Sequence, residues 1–284
     1  MAGEANPTLR RRELGFLLRK LRTDRGLTIE EVSERLLFSP TKLSRLETGR
    51  AGASPRDIRD LCLLYQVTDS AERDRLMTLA REGKQRAWWQ KYALPYATYV
   101  GLEAEATSIS DFNSDFVTGL LQVEGYARAI LETAEPPLDR AIINQYIEAR
   151  LRRQAILDGR DGLLFHCVVD EQALRRPVGG PDVMHAQLMQ IITLAKSPNV
   201  TFQILPVRVG AHTGMGSPFI IVEFDEPMVN NVVYVEGLVG NIYLEDAADV
   251  DRYKLIFSRL HSIALNPEDS IEMVKSVAAT YKGG

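Results

Sequence analysis

The segment TIEEVSERLLFSPTKLSRLETG, residues 28–49, constrains the fold of this chain more than any other stretch. Thr28 is a good N-cap, and Glu31 three residues later completes a capping box that starts a helix. Ser39 and Pro40 start a second helix, because serine caps a helix end and proline suits the first helical position. The glycine at the end of the segment favours the left-handed conformation that ends a helix. The segment therefore predicts two short helices joined by a tight connection.

The second predicted helix has two different faces. Leu43 and Leu46 recur at helical spacing and are expected to face inward. Thr41, Lys42 and Arg45 lie on the opposite face. This is the layout of a helix-turn-helix, whose second helix enters the major groove of DNA. An ordinary amphipathic helical hairpin is the alternative, because short motif matches are often accidental.

These 22 residues resemble, without a gap, the XRE-type DNA-binding domain of bacterial and phage repressors. The resemblance implies an ion pair between Arg22, in the preceding helix, and Glu47. It also implies DNA contacts at named positions. The implied base-edge contacts are Ser39, Thr41 and Arg45, with Pro40 at a further contact position, and the implied phosphate contacts are Lys42, Arg50 and the backbone N–H groups at the start of the Thr28 helix.

Two positions depart from the family pattern. Leu37 stands between the helices where family members often have glycine, so the turn must avoid a positive φ there or tolerate it. Pro40 replaces a residue that could donate a hydrogen bond to a base. More of the readout then falls on Thr41 and Arg45.

The flanking sequence and the distribution of charge support DNA binding. Capped helical patterns on both sides bring the number of predicted helices to five. Residues 1–86 carry a net charge of +5, whereas the remaining residues carry −9. Because basic residues release counterions from phosphates, we expect residues 1–86 to bind DNA and the acidic part to point away from it.

We expect three regions: a helix-turn-helix domain over residues 1–86, a linker over 87–100 and an effector or dimerisation domain over 101–284. The linker contains the aromatic residues Trp88, Trp89, Tyr92, Tyr96 and Tyr99. Such a group could stack on bases or on a ligand, but it is more typical of a linker that is clamped onto a neighbouring domain.

The larger domain is predicted to be α+β with a small, mostly antiparallel sheet. Residues 101–131 predict two helices with a break near Thr118 and Gly119. After residue 159, runs of β-branched residues predict strands. The predicted strands are GLLFHCVVD, NVTFQILPV, SPFIIVEF and NNVVYVE, and helices follow them.

This half also resembles a known domain. Its segments GLEAEATSI, FVTGLLQVEGYARAIL, EARLRRQAIL, VDEQALRRPVGG and NVTFQILPV occur in the order found in an uncharacterised effector domain that follows XRE domains in many bacterial regulators. The two resemblances together cover residues 8–275. They imply a transcriptional regulator, often antitoxin-like and encoded beside a small acidic partner protein, but they supply neither a ligand nor a reaction.

One loop of the larger domain is a candidate ligand site. The glycine-rich stretch VGAHTGMGSPF could approach a ligand closely, with His212 and Thr213 as polar contacts. A plain flexible connection is the alternative and is favoured. Asp170 and Glu171 could act as acid and base, but neighbouring arginines favour helix capping and charge neutralisation.

The rest of the sequence gives little sign of a metal site or of catalysis. The four histidines are too scattered for a metal cluster, and Cys62 and Cys167 lack the spacing of a zinc site. No nucleophile, phosphate-loop or dinucleotide signature occurs, so we expect no enzyme, no catalytic residues and no cofactor. The sequence has no apolar run of about 18 residues and no apolar signal core, so we expect a cytoplasmic protein without membrane contact.

The sequence therefore predicts a sequence-specific DNA-binding transcriptional regulator and favours a repressor. Because one module contacts one half-site, we expect a homodimer on a pseudo-palindromic operator. Two alternatives stay open: an antitoxin-like protein whose main role is to bind a small partner protein, and a small-molecule-gated sensor.

Overall fold

The computed structural model describes residues 6–158, 163–225, 229–237 and 240–282. The chain forms two compact units, one of residues 1–105 with 225–229 and the other of residues 106–224 with 230–284. Each unit has its own hydrophobic core.

The first unit is helical. Its first five helices are α1 (Pro7–Asp24), α2 (Ile29–Leu36), α3 (Pro40–Glu47), α4 (Pro55–Leu64) and α5 (Ser70–Glu82). The prediction of a five-helix domain is confirmed. A 3-10 helix (Trp88–Tyr92) and α6 (Ala97–Glu103) follow. Residues 87–100, which we predicted to be a linker, thus contain regular structure that lies within the first unit.

Capping residues set the helix starts of the first unit. The side chains of Asn6, Thr28, Ser39, Ser54 and Asp69 each accept a hydrogen bond from a backbone N–H of the helix that follows. These bonds satisfy donors that a helix start otherwise leaves unpaired. The local signals in the sequence therefore determine where each helix begins.

The core of the first unit brings α1 against α3. Leu18, Val32 and Leu43 are fully buried in one cluster. Gly15 permits the close approach, because a Cβ atom there would lie 2.6 Å from the backbone oxygen of Glu47. Any side chain at this position would push α3 away from α1.

The second unit is α+β and contains a six-stranded mixed sheet. The strands are β1 (Ser108–Asn113), β2 (Leu164–Asp170), β3 (Val200–Leu205), β4 (Phe219–Glu223), β5 (Val232–Gly237) and β6 (Gly240–Leu244), in the order β3-β2-β1-β4-β5-β6. β1 pairs with β2 in parallel, and so does β2 with β3. The other three pairings are antiparallel. The predicted α+β class is confirmed, but the sheet is not purely antiparallel.

Helices cover both faces of this sheet. The helices of this unit are α7 (Glu124–Leu131), α8 (Arg140–Arg153), α9 (Glu171–Arg175), α10 (Pro181–Leu194), α11 (Ala247–Ile263) and α12 (Pro267–Tyr281). Of these, α8 packs on α7 and, among the described residues, not on the sheet. Side chains from α10 and α12 pack with Cys167 and Val169 of β2 in one cluster. Val168, which lies between them in the sequence, packs with α11 residues in another cluster. This alternation is expected of a strand buried on both faces.

The prediction of two helices over residues 101–131 is wrong in part. The segment contains the end of α6, then strand β1, a 3-10 helix at Gly119–Leu121, and α7. β1 has the sequence SISDFN, and aspartate and asparagine are poor strand formers. Pairing with β2 and β4 on both sides overrides this local preference. Asp111 is buried in the strand, where the Thr118 hydroxyl donates a hydrogen bond to its carboxylate.

Candidate nucleic-acid interface

The exposed side of α3 carries most of the sequence-predicted DNA contacts. Leu43 and Leu46 are buried on the other side of this helix. The exposed residues are Ser39, Pro40, Thr41 and Arg45, together with Arg50 just beyond the helix. Within the described parts of the chain, the Arg45 guanidinium has no intramolecular hydrogen bond or ion pair, so its donors are available to a ligand.

The start of α2 has a closed capping box. Thr28 Oγ1 accepts from the Glu31 N–H at 3.2 Å, and Glu31 Oε2 accepts from the Thr28 N–H at 2.8 Å. The hydrogen bond from the Thr28 backbone lowers the pKa of Glu31. A phosphate at this helix start would therefore meet the N–H groups of Ile29 and Glu30, because the capping box uses those of Thr28 and Glu31.

Arg22 and Glu47 form a bidentate ion pair inside the first unit. Arg22 Nε lies 2.7 Å from Glu47 Oε1, and Nη2 lies 2.8 Å from Oε2. The Arg22 and Glu47 side chains are only 11% and 3% exposed. The third guanidinium nitrogen donates to the Leu27 carbonyl at 2.7 Å. The hydrogen bond to Glu47 raises the pKa of Arg22, and the pair ties the end of α1 to the end of α3.

Lys42 differs from the other predicted contacts, because its ammonium group has an intramolecular partner. Nζ lies 2.6 Å from Asp57 Oδ1 and 3.7 Å from the centroid of the Phe38 ring. Burial acts to raise the pKa of Asp57, but hydrogen bonds from Lys42 and Ser54 outweigh it and leave this pKa below its ordinary value. The Lys42 ammonium group therefore binds Asp57 of α4, whereas the family pattern implied that Lys42 contacts a phosphate.

The turn between α2 and α3 has the left-handed backbone for which glycine is the usual residue. Leu37 has φ 55° and ψ 38°, and it is 93% exposed. The next residue, Phe38, donates its N–H to the Ser33 carbonyl at 2.9 Å. The turn therefore tolerates a strained leucine whose side chain makes little contact with the unit.

The glycine-rich loop of the second unit holds its two candidate residues differently. The His212 side chain is 7% exposed. Its Nδ1 accepts a hydrogen bond from the Gly214 N–H at 3.2 Å, and its Nε2 lies 3.9 Å from Asp170 Oδ2. The ring also meets Phe112 edge-on, with centroids 6.0 Å apart. His212 therefore stabilises the loop from within and does not offer its ring to a ligand.

Thr213, by contrast, lines a cavity of about 450 Å³. The loop forms one wall, and α11 contributes the charged residues Asp249 and Arg252. The apolar lining consists of Met215, Phe219, Leu244, Tyr253 and Ile256. The volume suits a small organic molecule. Sequence reasoning missed the α11 residues, because nothing in their helical pattern distinguishes a cavity wall from a solvated face.

The remaining candidates have structural roles. Asp170 caps α9 by accepting from the Gln172 N–H at 2.8 Å. Glu171 pairs with Arg175 at 2.7 Å and accepts from the Val207 N–H. Among the described residues, no group of three or more His, Cys, Asp or Glu could hold a metal ion. In the same part of the chain, every helix is too short or too polar to cross a bilayer.

Two domain models match the chain, one within the first unit and one mainly over the second unit. A helix-turn-helix domain matches residues 13–76, which defines the first unit as a helix-turn-helix unit and supports DNA binding and transcription regulation. A domain of unknown function (DUF5753) matches residues 96–276. Since that match covers more than half of the chain, the chain belongs to the DUF5753 family. The resemblance to an XRE-type regulator with an uncharacterised C-terminal domain is confirmed. No curated protein matches the chain.

Proposed function

We propose that the chain is a sequence-specific transcriptional repressor that binds a pseudo-palindromic operator as a homodimer. The observation that carries this proposal is the exposed, unpaired Arg45 on α3, beside the exposed Thr41, within the described part of the chain. Arginine can form two hydrogen bonds with a guanine edge in the major groove, and threonine can contact several bases. The ion pair between Arg22 and Glu47 fixes the helix that presents them.

We expect a homodimer because a single module has limited affinity for DNA and because the spacing of two half-sites fits two modules. One module of this type contacts one half-site, and two modules about 34 Å apart read two half-sites on the same side of the duplex. The net charge of +5 over residues 1–86 favours phosphate binding, whereas the acidic remainder opposes it. In this proposal the second unit dimerises or senses a signal, and the chain acts in the cytoplasm without a catalytic activity of its own.

Selection of bound fragments from a random duplex library tests the proposal. We expect the selected sites to share two inverted half-sites with centres about 10 base pairs, or a multiple of this, apart. Analytical ultracentrifugation should show two protomers on one duplex. Deletion of the gene should raise transcription next to the corresponding genomic sites. Absence of any enriched sequence would reject sequence-specific binding, and lower transcription after deletion would reject repression.

The cavity beside Thr213 supports a second candidate function, which is control of DNA binding by a small molecule. Arg252 and Asp249 could hold polar groups of a ligand while the aromatic and aliphatic lining contacts its apolar part. Thermal-shift screening of a metabolite library should find a compound that stabilises the wild type but not Arg252→Gln. Arg259→Gln is the matched control, because Arg259 is an exposed arginine of α11 outside the cavity lining.

A small acidic partner protein is the other candidate for this switching role, and it rests on the family resemblance alone. Copurification of such a protein with the tagged chain, accompanied by a change in operator affinity, would support an antitoxin-like role. An operator affinity that does not change when the purified partner is added would reject the antitoxin-like role.

A further inference from the structure

We infer that Asp57 is a positioning residue for DNA readout: together with Lys42 it holds the recognition helix α3 against α4 at the orientation that presents Arg45. This inference rests on the proposed DNA reading by α3. It assigns Lys42 to the same support and not to a phosphate.

The contacts of Asp57 are divided between two helices. Oδ1 accepts from Lys42 Nζ at 2.6 Å, and Oδ2 accepts from the Ser54 N–H at 2.8 Å. Ser54 Oγ in turn accepts from the Asp57 N–H at 3.1 Å. The Asp57 carboxylate therefore closes the capping box of α4 and also binds the Lys42 side chain of α3. Its side chain is 12% exposed, which limits competition by water.

The position of Lys42 in α3 gives this contact its effect. Lys42 lies next to Thr41 and three residues before Arg45, which is about one helical turn. The ammonium group also sits over the Phe38 ring, at the end of the turn that leads into the helix. α3 has only eight residues, and a helix this short depends on tertiary contacts for its order. A tether at Lys42 therefore restricts rotation of α3 about its own axis.

A purely electrostatic role of Asp57 and a positioning role predict opposite effects on DNA binding when its charge is removed. If Asp57 acted only through its negative charge, removal of that charge would strengthen binding to DNA. If it holds α3, the same change weakens binding to the operator. Likewise, loss of a phosphate contact at Lys42 would lower the slope of log K against log salt by about one. Loss of a support inside the protein leaves that slope unchanged.

The experiment compares four variants of the full chain on the selected operator: Asp57→Asn, Lys42→Met, their double variant, and Ser54→Ala. Ser54→Ala is the matched control, because it removes the hydroxyl of the same capping box but leaves the contact between Lys42 and Asp57 in place. Fluorescence of the chain's two tryptophans, both in the first unit, checks that each variant is folded at the assay temperature.

We expect Asp57→Asn and Lys42→Met each to weaken operator binding by roughly five- to tenfold, because the lost charge-assisted hydrogen bond limits the effect. The double variant should be no weaker than the single ones, all salt slopes should equal that of the wild type, and Ser54→Ala should keep its affinity even if it melts earlier. Wild-type or tighter binding by Asp57→Asn, or a lower slope in Lys42→Met alone, would overturn the inference. Failure of the wild type to select any site would instead reject the proposed function.

Discussion

The recognition segment, residues 28–50, and the glycine-rich loop, residues 210–217, differ in how their candidate binding residues are held. In the recognition segment, Arg45 is exposed while Glu47, two positions later, is buried in an ion pair. In the loop, the His212 side chain is buried against Phe112, whereas Thr213 lines a cavity. A helix determines the direction of each side chain from its own periodicity. A loop has no such period, so its distant neighbours determine which side chain faces a ligand.

The largest expected effect is a loss of stability when the ion pair of the recognition segment is broken. Glu47→Ala leaves Arg22 buried without its carboxylate, so the first unit should lose about 3–5 kcal/mol of stability. Urea unfolding followed by tryptophan fluorescence measures this loss, because both tryptophans belong to the first unit. Glu34→Ala, an exposed position on α2, should change stability by no more than about 0.5 kcal/mol. Equal midpoints for the two variants would show that the ion pair does not hold the recognition helix.

A smaller effect tests whether packing holds the glycine-rich loop. A Cβ atom at Gly214 would lie 2.5 Å from Phe112 Cε1 and 2.7 Å from Cζ. Gly214→Ala should therefore destabilise the second unit by about 1–3 kcal/mol. Far-UV circular dichroism during urea unfolding measures the change. Met215→Ala is the control, since Met215 is 66% exposed. If both variants unfold alike, the loop is the plain flexible connection.

The smallest expected effect is a gain of stability at the turn of the recognition segment. The left-handed conformation of Leu37 costs a non-glycine residue roughly 1–2 kcal/mol. Glycine removes this strain but loses about 0.5–1 kcal/mol to the entropy of the unfolded chain. Leu37→Gly should therefore stabilise the first unit by up to about 1 kcal/mol. Leu37→Ala keeps the strain and should gain nothing. A loss of stability in Leu37→Gly would contradict the described turn.

Local signals explain what the sequence predicted well. Serine and threonine caps with apolar residues at helical spacing predict helices of the first unit, because each signal acts within a few residues. The same periodicity is sufficient to place Arg45 on the face of α3 opposite Leu43. The sequence does not determine the backbone conformation of the turn at position 37, because leucine stands there where glycine is usual.

Contacts between distant residues explain what the sequence did not predict. Strand β1 forms from SISDFN only because β2 and β4 pair with it on both sides. The partner of Lys42 is Asp57, 15 residues further along, and the capping signal at Ser54 does not show that this carboxylate also binds α3. The cavity wall from α11 lies more than 30 residues after Thr213 in the sequence, and no motif connects the two.

The central claim is that the exposed side of α3 reads DNA sequence through Arg45. The most direct test is titration of the wild type and Arg45→Ala with a selected operator and with random duplex DNA at one salt concentration. If Arg45 contacts a guanine edge, the variant should lose about 1–3 kcal/mol on the operator and little on random DNA, and its specificity should relax at one base pair in each half-site. Equal losses on both DNAs would contradict the claim, because Arg45 would then contribute only charge.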